Sequence, residues 1–170
     1  MKNFIILVLV LLVIGFLLKS RGTSSTSDDG SGPIANPVYA EVRFEAQIQD
    51  RDFHLVAIGA ARDQADCKHM IADLPDRMQM GRKPDGTPIW QLESSDCKPQ
   101  LDERSARLFD NKPTFVNYLS ASPGGPGERE TRLIIWGVTA REGELVCGLA
   151  DQIKQKWKGT ISCVRALPSG

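Results

Sequence analysis

The sequence has little of what most catalytic sites are built from. It contains two histidines, His54 and His69, and it lacks a nucleophile elbow, an H-E-x-x-H helix, a phosphate loop and a dinucleotide-binding fingerprint. No two of its four cysteines form a C-x-x-C pair or a short zinc-binding clip. We therefore expect no catalytic residue, no metal site and no cofactor.

The sequence also has no excess of charge of either sign. Its 170 residues carry 21 basic and 21 acidic side chains. The first 36 residues hold three basic and two acidic ones, which leaves 18 basic and 19 acidic side chains for the rest. Non-specific binding to nucleic acid depends on a surplus of Lys and Arg, so we expect no nucleic-acid partner.

One long apolar run is present at the N-terminus, from Phe4 to Leu18 between Lys2 and Lys19. A helix of this length spans about 22 Å at ~1.5 Å per residue, and flanking lysines extend its reach toward the roughly 30 Å hydrocarbon core. No small-residue cleavage site follows closely, which favours an uncleaved signal anchor over a cleaved signal peptide. Residues 1–19 are predicted to be a single transmembrane helix; if they were cleaved, the chain would be secreted.

Residues 20–36, SRGTSSTSDDGSGPIAN, are rich in Ser, Gly and Thr. Such a stretch buries too little apolar surface to offset the entropy of ordering it. As a coil, a segment of this length has an r.m.s. reach of about 20–25 Å. It is therefore predicted to be a flexible linker that tethers a domain over residues 37–168.

Hydrophobic periodicity predicts the elements of this domain. Val38–Gln49 alternates apolar and polar residues, which is typical of a half-buried strand, and Phe53–Ala60 predicts a second strand in an antiparallel hairpin. Asp63 is a suitable N-cap for a helix that runs to about Leu74. Ile89–Cys97 predicts the third strand.

The second half of the domain is less regular at its start. Lys98–Pro113 is equally compatible with a short helix over Leu101–Leu108 and with an irregular crossing segment. Thr139 and Glu142 have the spacing of a capping box, which predicts the start of a second long helix. Three strands are predicted around it, at Thr114–Ser120, Arg129–Val138 and Thr160–Leu167. The predicted apolar stripe of the helix is Leu145, Val146, Leu149, Ile153 and Trp157.

The two halves of the domain share a pattern. Leu55–Gly59 matches Leu133–Gly137 at a constant offset of 78 residues, and each is followed by a helix with one cysteine and a strand with another. The predicted fold is therefore α+β, with two ββαβ-like units in a mostly antiparallel mixed sheet. Two helices are expected to pack on one face of this sheet, after one N-terminal transmembrane helix.

Four cysteines allow three disulfide pairings. A helix and the strand after it are usually neighbours in space, which favours Cys67–Cys97 and Cys147–Cys163 over the other pairings and over free thiols. Disulfides persist in oxidising compartments. With an N-terminal anchor, the domain is predicted to lie outside the inner (cell) membrane, which in a bacterium is the periplasm.

The stretch LVAIGAARDQADCKHMIADL, residues 55–74, resembles the sporulation-related repeat. The resemblance covers about twenty residues of strand, Gly and helix, and it implies a ferredoxin-like fold that binds peptidoglycan. The additional strands of this chain depart from that fold.

Together these features predict a membrane-anchored extracytoplasmic binding or assembly module without catalytic activity, whose partner is a protein or another envelope component. A peptidoglycan-binding envelope domain and a thiol-based redox enzyme are the alternatives. Binding residues concentrate on loops, so we expect contacts at residues 79–87 or 122–129, with Tyr118 as a candidate contact residue.

Overall fold

The computed structural model describes residues 34–48, 50–72, 86–124, 128–154 and 158–167. The predicted anchor at residues 1–19 and most of the linker at residues 20–36 lie outside this part of the chain. Within it, no helix combines the length and the apolar character that crossing a bilayer requires.

The described part of the domain is α+β, with six strands and three helices. In chain order these elements are β1 (Val38–Ile48), β2 (Arg51–Ala61), α1 (Gln64–Ala72), β3 (Trp90–Lys98), α2 (Glu103–Phe109), β4 (Tyr118–Ser122), β5 (Thr131–Trp136), α3 (Ala140–Lys154) and β6 (Thr160–Val164). The region Lys98–Pro113, which the sequence left open, therefore contains a short helix.

The six strands form one sheet in the order β3-β1-β2-β5-β4-β6. Every strand pairing among the described residues is antiparallel, so the expectation of a mixed sheet is wrong. In each half the strand that follows the helix pairs with the first strand of that half rather than with the second. Strand β3 is antiparallel to β1 and β6 is antiparallel to β4, so no parallel pair occurs among the described strands.

The strand order is symmetric about the boundary between β2 and β5. The first half contributes β3-β1-β2, and the second contributes the same arrangement in reverse, β5-β4-β6. Val56 pairs with Ile134 at this boundary, and these two residues are also related by the offset of 78 residues. The matching segments of the sequence therefore meet at a local two-fold axis at the centre of the sheet.

The two faces of the sheet carry different helices. Helices α1 and α3 pack on one face, where Val146 and Ala150 of α3 join a core that includes Phe44 and Leu55. Helix α2 packs on the other face, where Leu108 contacts a smaller apolar cluster around Ile134. The prediction of two helices on one face is correct for α1 and α3 but misses α2, so the sheet is covered on both sides.

Two local predictions are also wrong. Strand β4 begins at Tyr118 rather than at Thr114, because the Thr114 hydroxyl donates to the Val116 carbonyl (2.9 Å) and bends the backbone before the strand. In α3 the predicted capping box forms, with the Thr139 backbone N–H donating to Glu142 at 2.7 Å. Leu145, however, is 41% exposed, so it does not belong to the buried stripe; the side chains of Leu149, Ile153 and Trp157 lie outside the described part.

Candidate functional site

A groove opens on the face of the sheet that carries α2. Its volume is about 890 Å³, which lies within the roughly 300–1,000 Å³ typical of ligand-binding sites. The floor consists of Val56 and Ile58 from β2 and Ile134 and Trp136 from β5. These side chains face this side because successive residues of a strand alternate between the two faces of a sheet.

The length of α2 explains why the groove is open. This helix has only seven residues, about 10 Å at ~1.5 Å per residue, whereas the neighbouring strands β1 and β2 have 11 residues each. Helix α2 thus covers one part of the face and leaves the rest as floor. Arg43 lines the groove five residues beyond Val38, so it lies ~17 Å along β1 from where the linker enters.

Asp102 fixes the N-terminal end of α2. Its carboxylate accepts hydrogen bonds from the Ser105 backbone N–H (2.9 Å) and from the Ser105 hydroxyl (3.0 Å). The backbone hydrogen bond is the main cause that holds the pKa of Asp102 below its ordinary value. The charged cap satisfies an otherwise unpaired N–H of the first turn.

Arg132 fixes the C-terminal end of the same helix. Its side chain is fully buried at 0% exposure and donates to the backbone carbonyls of Leu108 (2.8 Å) and Phe109 (3.1 Å). These are last-turn carbonyls, which lack a partner within the helix. The guanidinium also forms an ion pair with Glu130 at 2.8 Å, so the buried charge is compensated.

Three arginines line the groove. Arg43 donates two hydrogen bonds to Glu41, at 3.0 and 2.8 Å. Burial would raise the pKa of Glu41, but hydrogen bonds and charges from Lys98 and Arg43 outweigh burial and lower it. Arg104 lies over Trp136, with its guanidinium carbon 5.1 Å from the ring centroid. The Arg107 guanidinium donates no hydrogen bond to any described residue.

Two apolar side chains at the groove are open to solvent. Phe115 is 89% exposed and Leu167 is 52% exposed, and both line the groove. The backbone N–H of Leu167 donates to the Thr114 carbonyl at 2.9 Å, which brings these two segments together. An exposed aromatic ring beside an apolar floor is typical of the anchors that dominate binding energy at protein interfaces.

The cysteines lie away from this groove. Cys67 bonds to Cys97 and Cys147 bonds to Cys163, which is the pairing predicted from the sequence. Cys67 and Cys97 pack with Ala40 and Cys163 packs against the larger core, so both bonds are on the face of α1 and α3. They hold helices to strands and contribute nothing to the groove.

The other residues singled out in the sequence are not brought together. His54 on β2 and His69 on α1 are both exposed, and the described residues contain no group of three His, Cys, Asp or Glu side chains able to hold a metal ion. Tyr118 is 1% exposed, because its hydroxyl donates to backbone carbonyls of Leu108 and Lys112. The expectation that Tyr118 is a contact residue is therefore wrong.

The two loops expected to carry function differ in what the structure describes. Most of residues 79–87 lies outside the described part. In the described portion of residues 122–129, Glu128 is buried and accepts hydrogen bonds from the backbone N–H groups of Gly124 (2.7 Å), Lys158 (2.8 Å) and Gly159 (3.1 Å). This arrangement, which we call the Glu128 clasp, joins two loops and is structural.

The groove itself was not foreseen from the sequence. Its walls come from α2 and residues 113–116, which are brought together only by the tertiary fold. A usable signal was present in Phe115, a large apolar residue within the polar context NKPTF. No family model, curated protein or solved structure matches this chain.

Proposed function

We propose that this chain is a membrane-anchored extracytoplasmic binding or assembly module without catalytic activity, and that the groove on the α2 face is its binding surface. The observation that carries this proposal is the exposed ring of Phe115 (89%) at the rim of an open apolar floor. Exposed apolar surface of this kind costs free energy in water and marks a surface that a partner covers.

The chemistry of the lining favours binding over catalysis. Its hydroxyl groups are those of Ser105 and Thr114. Ser105 donates to the Asp102 cap and Thr114 donates to the Val116 carbonyl, so each is engaged in holding the backbone. Neither is next to a histidine that would activate it as a nucleophile.

The two disulfides support an extracytoplasmic location, because disulfides persist in oxidising compartments. Joined to the predicted anchor at residues 1–19, they would place the domain in the periplasm of a bacterium. The linker reaches β1 at Val38, ~17 Å along the strand from Arg43 of the groove. A domain tethered at that end presents the groove away from its attachment point.

Capture of a partner by the purified full chain in detergent tests the proposal. The wild-type chain and a Phe115→Asp/Leu167→Asp variant are immobilised and exposed to solubilised envelope proteins. We expect a protein that binds the wild type and is lost with the variant. A matched control, Leu92→Asp/Leu145→Asp, alters two side chains that are 43% and 41% exposed elsewhere and retains the partner; equal loss with both variants would contradict the proposal.

A peptidoglycan ligand is the second candidate for the same location, and it is distinguished by sedimentation with purified murein sacculi. The proposal of a protein partner predicts that the chain stays in the supernatant. The thiol-enzyme alternative is disfavoured because all four cysteines are held in disulfides, with sequence separations of 30 and 16. Neither pair has the C-x-x-C spacing of a thioredoxin-like redox motif.

A further inference from the structure

Helix α2 presents two arginines to the groove without a carboxylate partner. Arg104 and Arg107 are three residues apart and both line the groove, so they lie on one side of the helix. Arg104 stacks on Trp136 at 5.1 Å, which leaves its N–H groups available at the edge of the guanidinium. Among the described residues, neither guanidinium has an ion pair.

Among the described residues, none of the acidic groups nearby forms an ion pair with these two arginines. Asp102 is engaged as the N-cap of α2, where the helix N-terminus already stabilises its charge. Glu41 is paired with Arg43 and Lys98. Over the whole lining, Arg43, Arg104 and Arg107 face two carboxylates, Asp102 and Glu103, which leaves an excess of one positive charge.

The groove is long enough for a short extended peptide. The strands that line it are β1, β2 and β5, which are neighbours in the sheet. The floor is therefore two strand spacings wide, roughly 10 Å at ~4.8 Å per spacing, which is the length of about three extended residues at ~3.3 Å each. Residues 113–116 and Leu167 continue the lining beyond this floor. Along this lining, arginines and exposed apolar side chains occur together.

From this juxtaposition we infer that the groove binds an extended segment of a protein partner in which an acidic side chain accompanies a large apolar one. The carboxylate binds the guanidinium groups of Arg104 and Arg107, a pairing whose planar geometry favours two parallel hydrogen bonds. The apolar side chain lies between Phe115 and the floor at Ile134. This inference rests on the proposed function, since it specifies what the same groove binds.

Panning of a random hexapeptide library against the purified full chain tests the inference. We expect the enriched peptides to be rich in Asp or Glu beside Leu, Phe or Trp. An Arg104→Glu/Arg107→Glu variant is expected to lose these peptides, with Kd raised about tenfold or more. An Arg104→Lys/Arg107→Lys variant retains the acidic preference with weaker binding, because the charge remains while the paired geometry is lost.

The matched control is Lys68→Glu/Lys154→Glu. It makes the same change in net charge on exposed positions of α1 and α3, on the opposite face of the sheet, and it leaves binding unchanged. Enriched peptides without acidic residues, or equal binding by the Arg104→Glu/Arg107→Glu variant, would overturn the inference while the binding module stands. No enrichment by the wild type at all would contradict both.

Discussion

The Arg132 guanidinium donates a hydrogen bond to the Leu108 carbonyl at 2.8 Å, and so joins the centre of the sheet to the last turn of α2. Helix α2 is too short to be stable by itself, so its position depends on this contact and on the Asp102 cap. Because α2 carries Arg104 and Arg107, the same contact also fixes the geometry of the groove.

Replacement of Arg132 by Met is expected to destabilise the fold by about 3–5 kcal/mol, since it removes the donor to the Phe109 carbonyl and the ion-pair partner of Glu130. Urea denaturation of the full chain in detergent, followed by tryptophan fluorescence, measures this change. Arg165→Met is the control: its ion pair with Glu144 is 66% and 54% exposed, and loss of it costs about 0–1 kcal/mol. Equal effects of the two substitutions would contradict the structural role of Arg132.

The ion pair between Arg51 and Glu142 makes the free energy of unfolding depend on pH in the acidic range. Both carboxylate oxygens of Glu142 accept from Arg51 at 2.9 Å. The hydrogen bond from Arg51 is the main cause that lowers the pKa of Glu142 from 4.5 to about 2. Because the folded-state pKa is the lower one, this contribution is present above about pH 4.5 and is lost as the pH falls toward 2.

The expected size of this effect is about 1 kcal/mol, because Arg51 is 37% exposed and solvent screens the pair. The free energy of unfolding, measured between pH 7 and pH 2.5, should fall less steeply in Glu142→Gln than in the wild type. Glu144→Gln, in the same helix, serves as the control and retains the wild-type slope. An unchanged slope in Glu142→Gln would contradict the assignment.

The Glu128 clasp is expected to stabilise the two loops that it joins. Glu128→Ala leaves three backbone N–H groups without their acceptor, and we expect a loss of about 2–3 kcal/mol. Glu128→Gln, which keeps one acceptor oxygen, should lose less. Both are measured by urea denaturation, and a change below about 0.5 kcal/mol in Glu128→Ala would show that solvent replaces the clasp.

Two glycine substitutions test the closeness of the same loops. A Cβ atom at Gly124 would overlap the backbone of Gly159, whereas a Cβ at Gly148 in α3 would meet nothing within 4 Å. Gly124→Ala is therefore expected to destabilise the domain. Gly148→Ala should stabilise it by up to about 1 kcal/mol, because alanine is the better helix former. The reverse order of thermal midpoints would be inconsistent with the described loop packing.

The disulfides predict a specific thiol count. Alkylation of the denatured full chain before reduction should modify none of the four cysteines, and alkylation after reduction should modify all of them, as counted by mass spectrometry. Removal of Cys67–Cys97, with a sequence separation of 30, or of Cys147–Cys163, with a separation of 16, should cost about 3–4 kcal/mol in the chain-entropy model. A modified cysteine before reduction would contradict the assigned pairing.

Much of the sheet and both disulfides could be predicted from the sequence because their signals are local or symmetric. Alternation over Val38–Gln49 predicts β1, and the capping box at Thr139 predicts the start of α3. The offset of 78 residues places Val56 and Ile134 in equivalent positions, and they are neighbours in the sheet. Because a helix and the strand that follows it are usually neighbours in space, the cysteine of each helix is expected to pair with the cysteine of the next strand.

The features that were missed depend on tertiary contacts. Helix α2 is held by Arg132, which lies 24 residues from Leu108 along the chain, so no local pattern marks that contact. Tyr118 is buried because its hydroxyl donates hydrogen bonds to backbone carbonyls, and a sequence pattern does not reveal those partners. The groove is lined by β2, β5 and α2. It is open because the seven-residue α2 covers only part of that face of the sheet.

Site-specific photo-crosslinking in intact cells tests the central claim, that the groove is a binding surface, most directly. A photoreactive phenylalanine analogue is placed at Phe115, and in a separate chain at Leu145, which is exposed on the opposite face. We predict one discrete crosslinked product from position 115 and none from position 145. The absence of any product from position 115, or the same product from both positions, would contradict the account.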